Sequence, residues 1–485
     1  MLEKLFHLKE NKTNIRTELI AGLTTFMTMA YIIALNPNLL TNFGAGLGGD
    51  TEPVPQLWNA VFLATCIASA IGMFAMAFLA NKPFCLGPGM GLNSFFAVVV
   101  TNIAVAAGVS YVEGFQAAIC IILIEGIVFL ILSIFNIRDQ IVKAIPLGIR
   151  LGISPAIGLM LLNIGFGSNA QVFGQNGSSF TVMGSFFASL TPRTVSDTMA
   201  GAGANYNQLV LTVITMFVGL FVILALDRKK VKGAVLLGML SASLVYWGGS
   251  WLVLGVNPFA SLATASFVPP FKDMAETTLF KFNFATLSKI GWFTAISIVI
   301  TFCIIDMFDT IGTLLGTASR AGMVDKEGNM PKMREALTAD AIGTIAGAVT
   351  GTSTVTTFVE SASGVEAGGR TGLTAATTGI LFLVAMFLAP VAAIIPPAAT
   401  SSALIYVGIL MLGGLKNIDF SDMNQLAPVA IMLISMPISG SIGHAIGLGM
   451  IVYTFMKVLS GKFKEVSLLT YAISLLFLVK FFLVA

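Results

Sequence analysis

Thr350–Gly372 reads TGTSTVTTFVESASGVEAGGRTG, a stretch in which Ser, Thr and Gly crowd out the aliphatic residues around one carboxylate, Glu360. In a water-soluble chain it would pass as a loop. This chain is 56% hydrophobic and only 10% charged, so Glu360 is expected at membrane depth. An ionisable group there costs roughly 2.5–3.5 kcal/mol on insertion scales, which makes it a functional-site expectation by default. Backbone too polar and Gly-rich to stay helical is tolerated in a bilayer only where it lines a cavity or is buried in protein. The carboxylate and the broken helix together predict a substrate site.

The rest of the chain sets the frame for that stretch. A mean hydropathy of +0.91 excludes a soluble fold and a single-anchor protein. A membrane helix needs about 20 mainly apolar residues, and roughly a dozen or more such runs are present. Clear ones are Leu57–Ala80, Phe115–Phe135, Leu209–Leu226, Gly233–Leu254, Trp292–Ile305, Gly379–Ile395 and Ala403–Leu412. The fold class expected is therefore an all-α polytopic membrane protein. Its 49 glycines suit helices that approach through small faces. The formal charge of +3 says little about partners, and no nucleic-acid partner is expected. The charged, amphipathic start MLEKLFHLKENKTNIRTE makes Thr17–Leu40 read as a retained first span rather than a cleaved signal. Cys66, Cys85, Cys120 and Cys303 all lie in apolar segments without metal spacing, and His7 and His444 belong to no ligand cluster. No disulfide, metal or other cofactor is expected.

Basic residues in short connections give an orientation. Lys4, Lys9, Lys12 and Arg16, then Arg138, Lys143 and Arg150, then Arg228–Lys232 (RKKVK), then Arg320, Lys326, Lys332 and Arg334 would all be cytoplasmic. Thr41–Gln56 and Ser168–Gln208 carry almost no basic residues and would face outside. Lys457, Lys462 and Lys464 also look cytoplasmic, and Leu468–Ala485 after them is either a final span or an interfacial segment.

The chain contains a weak copy of itself. Ala70–Ala77 reads AIGMFAMA and Ala341–Ala348 reads AIGTIAGA, 271 residues later. Each is followed by a break, Cys85–Asn93 and Thr352–Gly364, and the same offset sets Gly89 opposite Glu360. A second echo pairs Gly158-Leu-Met-Leu-Leu with Gly408-Ile-Leu-Met-Leu, each preceded by Ile-Pro at one spacing. An odd number of spans separates the copies, so the halves would be inverted. Paired interrupted helices in inverted halves point to a transporter site near the midplane. Each break would lead into a half-helix whose free N–H groups and positive dipole end face a shared cavity.

Before the second break, TFCIIDMFDTIGTLLGTASR sets Asp306, Asp309, Thr310, Thr313 and Thr317 on one helical face. That stripe should face the protein interior. Two carboxylates three residues apart cannot both ionise cheaply in low dielectric, which suits a proton carrier. Asp306 could equally cap or pair with a neighbouring helix. Glu366 and Arg370 stand at i, i+4 and are expected to pair, whereas Glu360 has no base within helical reach. Glu125 is a second proton site or a buried hydrogen-bonding group. Asn93 either caps a half-helix or bonds a ligand.

Four stretches carry a family resemblance. GLTTFMTMAYIIALNP (Gly22–Pro37), GPGMGLNSFF (Gly87–Phe96), FDTIGTLLG (Phe308–Gly316) and VESASGVEAGGRTGL (Val359–Leu373) closely resemble the adenine/guanine/hypoxanthine permeases. These form a branch of the nucleobase–ascorbate, or nucleobase/cation symporter 2, family. The resemblance implies fourteen transmembrane segments in two inverted seven-helix repeats, with short extended segments opening spans 3 and 10. It divides the chain into a cytoplasmic N-terminus (1–16), core parts at 17–136 and 286–395, gate parts at 137–256 and 396–485, and an external loop at 257–285. It implies base contacts from Glu360, Asn93, Asp309 and the backbone at Gly89, Met90 and Val359. Thr313 stands where the uracil branch has a histidine, so base contacts there do not transfer. Asp309, with Asp306 and Glu360, would couple protons, sodium being the alternative ion. The function expected is purine nucleobase uptake across the plasma membrane, guanine and hypoxanthine ahead of adenine, in a lipid-embedded and possible homodimeric permease rather than an enzyme. Xanthine or uracil transport, or an anion transporter or channel of the same fold, are the alternatives.

Overall fold

The computed structural model describes residues 2–42, 55–135, 146–169, 206–320, 323, 330–439 and 442–483. Arg138, Lys143, Lys326 and most of the loops expected at 41–56 and 168–208 lie outside them. Apolar helices dominate because a chain in hydrocarbon must satisfy its own backbone polar groups. Helix α1 (Ile15–Met29) and α2 (Ile32–Asn42) are separated by a turn at Ala30–Tyr31. Helix α3 (Pro55–Ala75) continues as a π-turn to Ala80 and is followed by strand β1 (Leu86–Pro88). Then come α4 (Met90–Ala107), α5 (Tyr111–Ile134), α6 (Leu147–Ile164), α7 (Tyr206–Arg228) and α8 (Ala234–Leu252). The second half has α9 (Trp292–Arg320), α10 (Met333–Thr350), strand β2 (Val355–Thr357), α11 (Ser361–Glu366) and α12 (Gly372–Ala385). It closes with α13 (Pro397–Leu412), α14 (Met423–Ser439), α15 (Ile442–Leu459) and α16 (Leu468–Leu483).

Among the described residues, 10 helices are long and apolar enough to cross a membrane, fewer than the apolar runs read from the sequence. Two local causes account for the difference. The stretch around Glu360 is spent on β2 and a six-residue α11, and Met423–Ile438, His444–Leu459 and Thr470–Val479 are shorter apolar helices. The segment at 257–285 contains the short helix Phe271–Thr277, which is tied to α3 where Asn59 Nδ2 donates to Asp273 Oδ2 at 2.6 Å.

Packing sorts the helices into two groups. Helix α10 lies against α3 and α5, and α12 against α1 and α3; separately, α13 packs on α6, α7 and α8, and α14 on α6 and α15. The two echoes of the sequence meet in space. A Cβ on Gly72 would lie 3.4 Å from Gly343 Cα, and one on Gly158 would lie 2.7 Å from the Gly408 carbonyl oxygen. Small residues allow this backbone approach. The strands pair antiparallel with Leu86 opposite Thr357, two residues separated by the same 271-residue offset.

One expected pair is not formed. Helix α11 ends at Glu366, so Arg370 is no longer one helical turn away. Its Nη1 donates instead to the carbonyls of Val365 and Gly369, each at 2.7 Å.

Candidate functional site

Both predicted breaks are present, and they cross. Strands β1 and β2 lie side by side in the protein interior, all six of their residues buried. Each runs into a helix: Gly89 is the N-cap of α4 and Glu360 the N-cap of α11. The offset that set Gly89 opposite Glu360 in sequence therefore also matches their structural roles. The second half-helix is only six residues long, and the chain turns beyond it at Gly368, φ +103, a left-handed conformation that favours glycine.

A cavity of about 710 Å³ opens at this crossing. That volume falls in the roughly 300–1,000 Å³ range of small-molecule sites. Gly89, Met90, Asp309, Thr313, Val359 and Glu360 all line it. Close approach of the elements requires glycine at position 89, where a Cβ would sit 2.7 Å from Thr356 Cγ2 and 3.8 Å from Asp309 Oδ2. The Gly89 N–H is taken up by the Thr354 carbonyl at 3.1 Å. Among the described residues Glu360 forms no ion pair. Its Oε1 accepts the hydroxyl of Tyr31 at 2.8 Å, from the turn between α1 and α2.

Two expected site residues lie behind the cavity rather than on its wall. Asn93 is fully buried: its Nδ2 donates to Asn36 Oδ1 at 2.6 Å and to the Pro88 carbonyl at 3.3 Å, and its Oδ1 accepts from Ser353 Oγ. Asn36 carries the network on to Thr65 at 2.7 Å and Thr352 at 2.9 Å. Asp306 is fully buried on the far side of the stripe. There the Thr310 hydroxyl lies 3.0 Å from Asp306 Oδ1, 3.2 and 3.1 Å from the two Asp340 oxygens, and 2.6 Å from Thr356 Oγ1. The polar face of α9 thus splits, Asp309 and Thr313 toward the cavity and Asp306 and Thr310 toward α10 and β2. Glu125 is buried and accepts from Thr354 Oγ1 at 2.7 Å, just ahead of β2.

Sequence reasoning missed Tyr31, Thr356 and Tyr406 on the cavity wall and Asp340 behind it. Asp340, a lone carboxylate in the apolar run TADAIG, carried the same signal as Glu360. Tyr31 carried a weaker one, a hydroxyl in an apolar span that needs a partner once buried. The cavity also reaches Asp227, Lys230, Lys232 and Glu366, so its mouth meets the basic run after α7. Across the described residues no group of three or more His, Cys, Asp or Glu is placed to hold a metal ion.

Comparison with known proteins follows the same lines. Residues 16–450 match the model of the xanthine/uracil-type permeases, described as "Permease family". The adenine permease AdeP of Escherichia coli (strain K12) is 35% identical over 99% of this chain and 96% of its own length. The guanine/hypoxanthine permease PbuO of Bacillus subtilis (strain 168) is 34% identical over 99% of this chain and its full length (100%). Among solved structures, the transmembrane domain of the cyanobacterial bicarbonate transporter BicA superposes with a TM-score of 0.58 at 15% identity, covering 89% of this chain and 97% of that one. That likeness establishes a shared transporter fold. With its membrane helices, its crossed strands and a full-length match to permeases, the chain is a transporter and not an enzyme, and it belongs to the nucleobase/cation symporter 2 permease family.

Proposed function

We propose that this chain is a proton-coupled purine nucleobase uptake permease of the cell membrane, with guanine and hypoxanthine ahead of adenine. The observation that carries the reading is the Glu360 carboxylate on the cavity wall where the two breaks cross. It would accept N–H donors from the edge of a planar base as charge-assisted hydrogen bonds. The names of the relatives, adenine and guanine/hypoxanthine permeases, support a purine as the cargo.

The other roles follow from position. Met90 and Val359 would offer backbone groups to the base, Thr313 would shape the wall, and Asp309 would carry the coupled proton. Gly89, its N–H held by Thr354, would offer only the second lone pair of a carbonyl that already accepts the Asn93 N–H. Asn93 and Asp306 would act from behind, holding β1 and β2 through their networks; direct contact of Asn93 with a base would require its present bonds to open. The contacts of Gly72 with Gly343 and of Gly158 with Gly408 support two inverted seven-helix repeats, since matched residues touch where a two-fold axis passes. The packing groups support a core (17–136 and 286–395) that moves against a gate (137–256 and 396–485). With the N-terminus and the run at 228–232 cytoplasmic, the cavity faces inward.

An anion transporter of the same fold is disfavoured by Asp309 and Glu360, two carboxylates on one cavity wall that would repel an anion. Uptake of radiolabelled guanine, hypoxanthine, adenine, xanthine and uracil, with and without an uncoupler, tests the proposal. Saturable purine uptake that collapses with the proton gradient is the expected result. Transport of xanthine or uracil alone, or purine uptake indifferent to the uncoupler but dependent on sodium, would overturn the assignment.

A further inference from the structure

We propose that Tyr31 is the positioning residue of the substrate site: its hydroxyl, donated to Glu360 Oε1, holds the carboxylate in the orientation that receives the base. The inference rests on the reading of Glu360 as the base-binding group.

Three features of the structure carry it. Tyr31 stands in the turn that interrupts the first span and is only 1% exposed, so its ring is held by protein while its hydroxyl reaches the cavity wall. The next residue anchors the turn, since Ile32 Cδ1 packs where Gly87 of β1 leaves room; a Cβ there would be 2.6 Å away. One turn earlier, the Thr28 hydroxyl meets Ser363 Oγ at 2.9 Å, and Ser363 donates to the Glu360 carbonyl at 2.6 Å. Residues 28 and 31 therefore grip both the main chain and the side chain of Glu360. Ser361 fastens the same cap to the other break, its Oγ accepting the Cys85 N–H at 2.9 Å. Glu360 is the point at which three chain interruptions are tied together.

The donor is neutral, and that matters chemically. A Lys or Arg in this place would neutralise the carboxylate, whereas a phenol orients it and leaves its charge. An ionised carboxylate offers about four acceptor directions, of which Tyr31 uses one on Oε1. The remaining directions serve a base edge with adjacent N–H donors. A side chain already ordered in its bound geometry loses less freedom when substrate arrives. Guanine presents N1–H and N2–H side by side and needs both oxygens aligned, whereas hypoxanthine presents N1–H alone. Removing the phenol should therefore weaken guanine more than hypoxanthine.

The test compares wild type with Tyr31→Phe, Glu360→Gln and Thr28→Val, using equilibrium binding of radiolabelled guanine and hypoxanthine to purified protein and KM and Vmax in proteoliposomes. Tyr31→Phe should raise Kd and KM for guanine roughly 10- to 100-fold, the equivalent of one hydrogen bond to a charged group, with Vmax held within about twofold. Hypoxanthine should shift less. Thr28→Val keeps the phenol but loosens the cap, and should move Kd the same way by a smaller factor; it remains informative if Tyr31→Phe folds poorly. An unchanged Kd in Tyr31→Phe or Thr28→Val, with Glu360→Gln unable to bind, overturns the role of Tyr31 and leaves that of Glu360 standing. Normal binding by Glu360→Gln overturns the carboxylate reading itself. A fall in Vmax at constant KM marks a merely structural tyrosine and also overturns the proposal.

Discussion

The contact between Gly158 and Gly408 makes a quantitative prediction about how α6 and α13 are held together. A Cβ placed on Gly158 would be 2.7 Å from the Gly408 carbonyl oxygen and 3.0 Å from Met411 Cβ; one placed on Gly408 would be 2.8 Å from the Gly158 carbonyl oxygen. Ordinary contact begins near 3.4 Å. Either alanine must therefore part α6 and α13 by more than half an ångström, against backbone atoms that cannot rotate away. Overpacking of this kind costs about 1–3 kcal/mol. Alanine also raises helix propensity by up to about 1 kcal/mol over glycine, which has to be separated from the clash. Gly248→Ala on α8 isolates that gain, because nothing lies within 4 Å of its Cβ. In thermal unfolding of detergent-purified protein, Gly158→Ala and Gly408→Ala should each melt roughly 2–6 °C below Gly248→Ala. The double variant should lose less than the sum, since the first alanine has already opened the seam the second needs. Singles as stable as Gly248→Ala, or strictly additive losses, would refute a direct backbone seam between these helices.

Three more outcomes follow from particular contacts. Asp309→Asn should retain purine binding but lose accumulation driven by a pH gradient; full gradient-driven uptake would remove Asp309 as the coupling group. Thr310→Val takes away the hydroxyl shared by Asp306, Asp340 and Thr356, leaving buried acceptors short of a donor at a cost of about 1–3 kcal/mol, read as a lower melting temperature. Gly372→Ala would drive a Cβ to 2.3 Å from the Ala77 carbonyl oxygen, so folded yield and melting temperature should fall more than for Gly158→Ala; wild-type stability would show that α12 can slide.

How far the sequence reaches can be judged residue by residue. That Asp309 and Thr313 share a polar face was legible because helical periodicity reports which side chains lie together, and that face lines the cavity. Periodicity cannot say what a face meets, so nothing distinguished Asp309 on the cavity from Asp306 against α10. Glu366 and Arg370 failed as a pair for a related reason: i, i+4 spacing presumes a continuous helix, and α11 ends first. Asn93, expected to close the first break, lies instead in the first turn of α4, and its amide turns toward Asn36 and Ser353, which no local pattern encodes.

The amino-acid sequence by itself determined the membrane class, the two breaks, the 271-residue offset that relates them and the unusual placement of Glu360 beside the second. Those are local or cumulative properties: hydropathy summed over a span, polar residues that interrupt it, a carboxylate too costly for its surroundings. The tertiary structure alone decided who holds that carboxylate. Tyr31 and Glu360 are separated by 329 positions, and only the crossing of β1 with β2 beside the interrupted first span brings the phenol within 2.8 Å. A hydrogen bond depends on distance and direction in space, and chain order constrains neither across so many intervening helices.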